Sequence, residues 1–326
     1  MGNILLLGAG FSRNWGGQLA AEVRSDIAMR LEGDQYLSDL LNKHDSFENA
    51  LEQVQVEYVT HRNSDLATQR LRSFQAAITE TFNDMNKAFS KMQFEFHNET
   101  DCSVGLYLTK FDAVFTLNQD LLLERHYLHP RQNILARSNA RLQGGDVPGM
   151  EEVFDSNIHH GDDRALHVRW RPKQPPYEMP SGFQPYFKLH GSTNWFSSDG
   201  EQLIVMGGDK FVTIQRYPVL KWYSEKFQEY LSKPGARLTV IGYGFGDHHI
   251  NSMLHASWQK SHFAMMIIGP DGRGVLRKIN PTYGKMYVAG PLEDIHTVDS
   301  TRGLSETFGS NGSVERGKLN RFLHPG

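Results

Sequence analysis

This chain of 326 residues predicts an α/β fold, a mostly parallel sheet with helices on both faces, from three observations. Short continuous apolar runs recur, each closed by glycine or a polar residue, as in strands buried on both faces. Segments whose apolar residues fall three and four apart separate them, as in helices covering a sheet. The first run, Asn3-Ile4-Leu5-Leu6-Leu7, passes through a glycine turn into a helical pattern, the opening of a βαβ unit.

The elements follow in chain order. After the turn at Gly8-Ala9-Gly10-Phe11-Ser12, residues 17–31 read as a helix on the spacing of Leu19, Val23, Ile27 and Leu31. A helical insertion over about 33–110 comes next. Asp45 with Glu48 makes a capping box there, ahead of Phe47, Leu51, Val54 and Tyr58 at helical spacing. A stripe from Leu71 through Phe74, Ile78, Phe82, Met85 and Phe89 to Met92 and Phe96 implies one long helix or two stacked ones. Its apolar face suits packing on the sheet, and an oligomer seam is the other reading.

Strands resume at Ala113-Val114-Phe115-Thr116-Leu117 and Phe187-Lys188-Leu189. They continue at Leu238-Thr239-Val240-Ile241, at 264–268 and at 286–289, with helices over 217–231 and 249–259. Residues 130–185, rich in Arg, Gly, Asp and Pro, read as an irregular insertion. One domain over 1–299 and a flexible tail over 300–326, rich in Gly, Ser and Asn, complete the expected organisation. Strands alternating with helices in this way describe a Rossmann-like sheet.

Composition narrows the function classes. A formal charge of −3 provides no basic footprint, so direct nucleic-acid contact is not expected. Cys102 is the only cysteine, which excludes a disulfide framework or a four-cysteine zinc module within the chain. No apolar run approaches the roughly 18 residues that span a bilayer, and residues 4–7 are too short for a signal core. A soluble cytoplasmic protein without membrane contact is the expectation.

In such a sheet, ligands bind beyond the carboxyl ends of the strands. Four unusual segments sit there. Gly8-Ala9-Gly10 lets the backbone turn tightly toward a phosphate, with Ser12 adding a hydroxyl and Arg13 a charge; Arg13 stands where a dehydrogenase fingerprint has its third glycine. Asn118-Gln119-Asp120 places a carboxamide and a carboxylate on one strand-end turn, where both also suit helix capping. His190-Gly191 puts an imidazole, suited to general-base work, at a third strand end. Gly242-Tyr243-Gly244 through Asp247 forms the fourth.

These segments together resemble the sirtuin-like domains, especially the bacterial defence-associated branch that destroys NAD during phage infection. The resemblance rests on Gly8-Ala9-Gly10-Phe11-Ser12, Asn118-Gln119-Asp120, His190-Gly191 and Ile241-Gly242-Tyr243-Gly244-Phe245-Gly246-Asp247 with Ile250-Asn251, in that order. It implies NAD+ as substrate and cleavage of the nicotinamide–ribose bond, an antiviral NAD+ hydrolase acting by abortive infection. By the same resemblance Asp120 grips the carboxamide, Asn118 orients the ribose or water, and His190 acts as base. Gly8, Ala9, Gly10, Phe11, Ser12 and Arg13 would hold the pyrophosphate side, with Gly191 beside the base. Gly242, Tyr243 and Gly244 would face the adenosine half, and Asp247 would reach a ribose hydroxyl.

The resemblance also implies a homo-oligomer and a ring-forming DNA-translocase ATPase as partner. Cys102 alone cannot build the zinc module of protein-deacylating sirtuins, so lysine deacylation is not expected. The alternative is a module that senses NAD or ADP-ribose without cleaving it. Two further clusters, His159-His160-Gly161-Asp162-Asp163 and Asp247-His248-His249, carry metal-ligand residue types. Neither has His-x-x-x-His spacing, and no bound metal is expected.

Overall fold

The computed structural model describes residues 2–61, 64–96, 103–128, 144–153, 168–207, 209–278, 292, 295–309 and 312–324. Strand β1 (Asn3–Leu7) runs straight into a four-residue helix, α1 (Ala9–Ser12), and one 3-10 turn at Arg13–Trp15. The expected glycine turn is therefore the first turn of a helix capped by Gly8. Helix α2 (Ala20–Arg30) begins later than the apolar spacing implied. Leu19 is its N-cap and is 40% exposed, with Glu22 accepting from the Leu19 N–H.

The insertion is helical as expected, with α3 (Gln35–Lys43), α4 (Phe47–Thr60), α5 (Asp65–Phe89) and the short α6 (Val104–Leu108). Asp34, Ser46, Ser64 and Ser103 cap these four helices, each side chain accepting from a backbone N–H three residues on. Ser46 thus displaces Asp45 as the cap of α4. The apolar stripe from Leu71 to Phe89 lies on one long helix, and Phe74, Ile78, Phe82, Met85 and Phe89 are buried within the chain against its neighbours. That face is used in the chain's own core, while Met92, past the helix, is 42% exposed. Phe94 and Phe96, beyond the helix, stack on Trp15 at 4.9 and 5.0 Å.

Strand β2 (Ala113–Thr116) and α7 (Leu122–His126) follow. The supposedly irregular insertion contains β3 (Gly144–Asp146), β4 (Met150–Val153), β5 (Arg169–Pro172) and the start of β6 (Phe183–Lys188). Strands β7 (Gly191–Phe196) and β8 (Gln202–Ile204) come after His190. Helices α8 (Lys210–Arg216) and α9 (Pro218–Leu231) lead to β9 (Arg237–Ile241), α10 (His248–Ser261), β10 (Ala264–Ile268), α11 (Gly274–Lys278) and β11 (Thr297–Ser300). The strand expected at 286–289 lies outside the described residues, as does His159–Asp163.

The main sheet has the order β11-β10-β9-β1-β2-β6-β3, and all its pairings are parallel. This is the Rossmann-like α/β fold. Ile4, Leu5, Leu6 and Leu7 of β1 have no exposure, because the strand sits mid-sheet with both faces covered. A second sheet, β4-β5-β7-β8, is built from segments too short and polar to read as strands. The tail is ordered, contrary to its composition: α12 (Leu304–Phe308) and α13 (Ser313–Leu323) bury Leu304, Phe308, Leu319, Phe322 and Leu323. Backbone carbonyls of Phe322 and Leu323 accept from Arg237 and Asn3 at the amino edge of the sheet. Among the described residues no helix is long and apolar enough to cross a membrane.

Candidate functional site

The chain leaves β1 toward β2 on one side and later returns to β9 on the other, so the strand order reverses around β1. At that switch point, beyond the carboxyl ends of the strands, lies a cavity of about 720 Å³. Its wall includes Ala9, Asn118, Asp120, His190, Gly242 and Asp247, which brings all four sequence segments to one place.

The glycines meet each other before they meet any ligand. Gly8 N–H donates to the Ile241 carbonyl at 3.0 Å, and Gly10 N–H donates to the Gly242 carbonyl at 2.9 Å. Gly242 has φ of +65°, and a Cβ there would collide with the backbone of Gly10 and Phe11. These residues let the ends of β1 and β9 touch, and two N–H groups expected to face a phosphate are already engaged. Gly8, Ala9, Gly10, Arg13, Gly242, Tyr243 and Gly244 still line the cavity. Phe11, Ser12 and Gly191 do not. Phe11 is buried against Trp15 at 5.0 Å, and Gly191, at φ +70°, lies close under the Leu203 carbonyl.

Ser12 has a different use. Its Oγ donates to Asp120 Oδ2 at 2.8 Å and accepts from Asn118 Nδ2 at 3.0 Å. Because the single hydroxyl proton goes to Asp120, the Asn118 amide must turn its NH2 toward Ser12. Asn118 lines the cavity, and its Oδ1 is left buried without a hydrogen-bond partner among the described residues. Asp120 uses its other oxygen, Oδ1, to accept from Leu122 N–H at 3.0 Å. Burial raises the Asp120 pKa, with the Lys188 charge, the Leu122 N–H and Ser12 opposing the shift. Asp120 therefore holds the loop in shape with both oxygens, and a carboxamide grip is not its principal contact.

Thr116 of β2 pairs with Lys188 of β6, so Asn118 and His190 stand two residues beyond matched positions on neighbouring strands. His190 is 3% exposed. Its Nε2 lies 2.9 Å from Nε2 of His249, the second residue of α10. Burial lowers the His190 pKa to about 3 and that of His249 to about 4, so both rings are uncharged near neutrality. Asp247 caps the same helix by position, and its Oδ1 lies 2.8 Å from Lys210 Nζ. Lys210 also contacts Glu48 of α4 at 2.9 Å. Burial pushes the Asp247 carboxyl up, yet His190 and Lys210 outweigh it and leave the pKa below its ordinary value.

His190, Asp247 and His249 bring potential metal-binding atoms within 4.8 Å of one another, the grouping of this kind found among the described residues. The sequence placed Asp247 and His249 together but not His190, because that contact crosses 59 residues. Here the two rings share a hydrogen bond and an ammonium already sits on the carboxylate, an arrangement that suits proton sharing better than cation binding.

Sequence reasoning missed other parts of the wall. Gln18 lines the cavity; its Nε2 donates to Asp26 at 3.0 Å, while its Oε1 is buried and unpartnered. The loops after β10 and β11 contribute Asp271, Thr301 and Arg302. Only the ends of Ile267-Ile268-Gly269 signalled this, and the segment containing Arg302 resembled a tail.

No curated protein matches the chain. Residues 112–276, just over half of its length, match the model of the SIR2-like domain. The match holds the Asn118, His190 and Asp247 segments, and leaves the glycine turn outside it. Domains of this kind are often NAD-dependent enzymes and imply NAD binding. With its parallel sheet and strand-end cavity, this chain belongs to the SIR2-like family.

Proposed function

We propose that the protein is an NAD+ glycohydrolase that releases nicotinamide and leaves ADP-ribose. The observation that carries this reading is Asn118 on the cavity wall beside His190, held by Ser12 and with its Oδ1 buried and unpartnered among the described residues. A lone buried carbonyl is costly unless something donates to it, and a ribose hydroxyl or the attacking water would do so. His190 stands on the same wall and supplies the imidazole that can take the proton.

The chemistry asks little else of the protein. Nicotinamide leaves as a neutral group from a cationic ring, through a transition state with oxocarbenium character like that of glycoside hydrolysis. The site has to orient the ribose, admit one water and receive one proton. Gln18 Oε1 adds a second orphan acceptor for a hydroxyl or amide of the substrate. The resemblance of the motifs extends the proposal to NAD depletion during phage infection, as a homo-oligomer beside a ring-forming ATPase.

Incubating purified protein with NAD+ and following free nicotinamide by chromatography tests the reading. Asn118→Ala and His190→Ala should each lower the rate by at least ~10²-fold, the low end for losing a proton-transfer group. Wild-type rates in both variants would remove the assignment. Calorimetric NAD+ binding without any product would favour a sensing module instead. A native mass measurement, alone and with a candidate ATPase, checks the assembly.

A further inference from the structure

The contact between His190 and His249 has more structure than a packing neighbour needs. The two Nε2 atoms are 2.9 Å apart, with ring centroids at 5.0 Å and planes inclined by 38°. Only one proton fits between them, so one ring donates and the other accepts. The Lys210 charge is matched by Glu48 and Asp247, and Asp247 comes within 4.8 Å of a nitrogen on each ring. A carboxylate that close stabilises positive charge on either ring. With His190 Nε2 as the donor, His249 Nε2 accepts and His190 Nδ1 carries a bare lone pair. His190 lines the cavity and His249 does not, so the pair presents His190 to the cavity. No partner for His190 Nδ1 exists among the described residues.

We propose that His249 is a positioning residue. It holds His190 in the tautomer whose Nδ1 can take a proton from the cavity, and it receives the proton from the far side of that ring. The inference rests on the hydrolysis reading above for its chemical step. In that step the glycosidic electron pair goes to the nicotinamide nitrogen and a water oxygen bonds to the ribose carbon. The proton lost from that water, directly or through a ribose hydroxyl, goes to His190 Nδ1. The proton on His190 Nε2 passes to His249 Nε2. Positive charge ends on His249, near Asp247, and not on the ring facing the departing nicotinamide. The logic is that of a base whose tautomer is set by a second group.

Nitrogen-15 spectra of histidine-labelled full-length protein at neutral pH read the tautomers without any turnover. His190 should carry its proton on Nε2, and His249 on Nδ1. His249→Ala should lower kcat at least about tenfold while KM for NAD+ stays within about twofold, as expected when orientation of the base is lost and binding is not. His249→Gln, whose carbonyl can still accept from His190 Nε2, should recover part of the loss. A proton on His190 Nδ1 would overturn the proposal, as would unchanged kcat in His249→Ala. A stoichiometric metal ion whose removal abolishes activity would overturn it too, by making the pair ligands. If wild type releases no nicotinamide yet shows the expected tautomers, the hydrolysis reading fails and the pairing stands. A reversed tautomer in an active enzyme sinks the pairing alone.

Discussion

Lys188 Nζ lies 2.6 Å from Glu124 Oε1 with no exposure of the lysine, and it also donates to the Asp120 carbonyl. This buried ion pair joins β6 to the turn that carries Asn118. Burial raises the Glu124 pKa and the adjacent ammonium opposes it, so the lysine is what keeps a carboxylate tolerable at that depth. Lys188→Ala should destabilise the fold by about 3–5 kcal/mol, the usual cost of leaving one buried charge unpaired. Urea denaturation checks it, and Lys188→Met combined with Glu124→Gln should cost less than Lys188→Ala.

Ser12 separates two accounts of the glycine turn. As a phosphate ligand its loss would raise KM. As the link between Asn118 and Asp120 its loss frees the Asn118 amide to turn, and kcat suffers. Steady-state nicotinamide release by Ser12→Ala should show kcat down by about 10–10²-fold with KM little changed, since small misplacements of a reacting group cost that much.

Stability should fall with acid through the histidine pair. His190 and His249 have folded pKa values of about 3 and about 4, below the ordinary 6.5. Between those limits the unfolded chain binds protons that the folded pair refuses, so stability is present above about pH 6.5 and drains as pH falls toward 4. Asp120 and Glu124, whose pKa values are raised, act in the opposite sense. The difference between wild type and a His190→Gln, His249→Gln double variant isolates the pair. Its pH slope from 7.5 to 4.5, read from urea midpoints, should be shallower than that of wild type.

Removing residues 304–326 should damage the core. Phe308 packs on Tyr107 at 4.8 Å, and Leu319, Phe322 and Leu323 are buried near the start of β1. Each large apolar side chain lost contributes about 1.5–3 kcal/mol. A truncated chain should therefore melt well below the full one, whereas a loose tail would leave the melting temperature unchanged.

The sequence by itself determined the five central strands of the main sheet, missing its edge strands β3 and β11, and the regions that meet at its end. Apolar runs such as Ile4 to Leu7 and Leu238 to Ile241 are continuous because strands covered on both faces have no polar side to show. The long stripe on α5 was readable for a like reason, since a helix burying one face repeats every three to four residues. Asn118 and His190 were legible as polar groups closing apolar strands. The second sheet and the C-terminal helices were not. Their strands are short, and the tail's buried residues are thinly spread among Gly, Ser and Asn, so local pattern carried no period.

Only the tertiary structure decided the roles within the site. Hydrogen bonds between residues 106 and 108 positions apart turn Ser12 from a ligand candidate into the group that orients Asn118 and anchors Asp120. A packed crossing of two strand ends, not a phosphate, is what the glycines at 8, 10 and 242 accommodate. His249 joins His190 although β9, which precedes α10, and β6 are separated in the sheet by β1 and β2, so the contact is made by the segments beyond the strand ends. Burial and strand-end chemistry are written locally along the chain. Which buried groups face each other is settled by packing, and the proton positions follow from that.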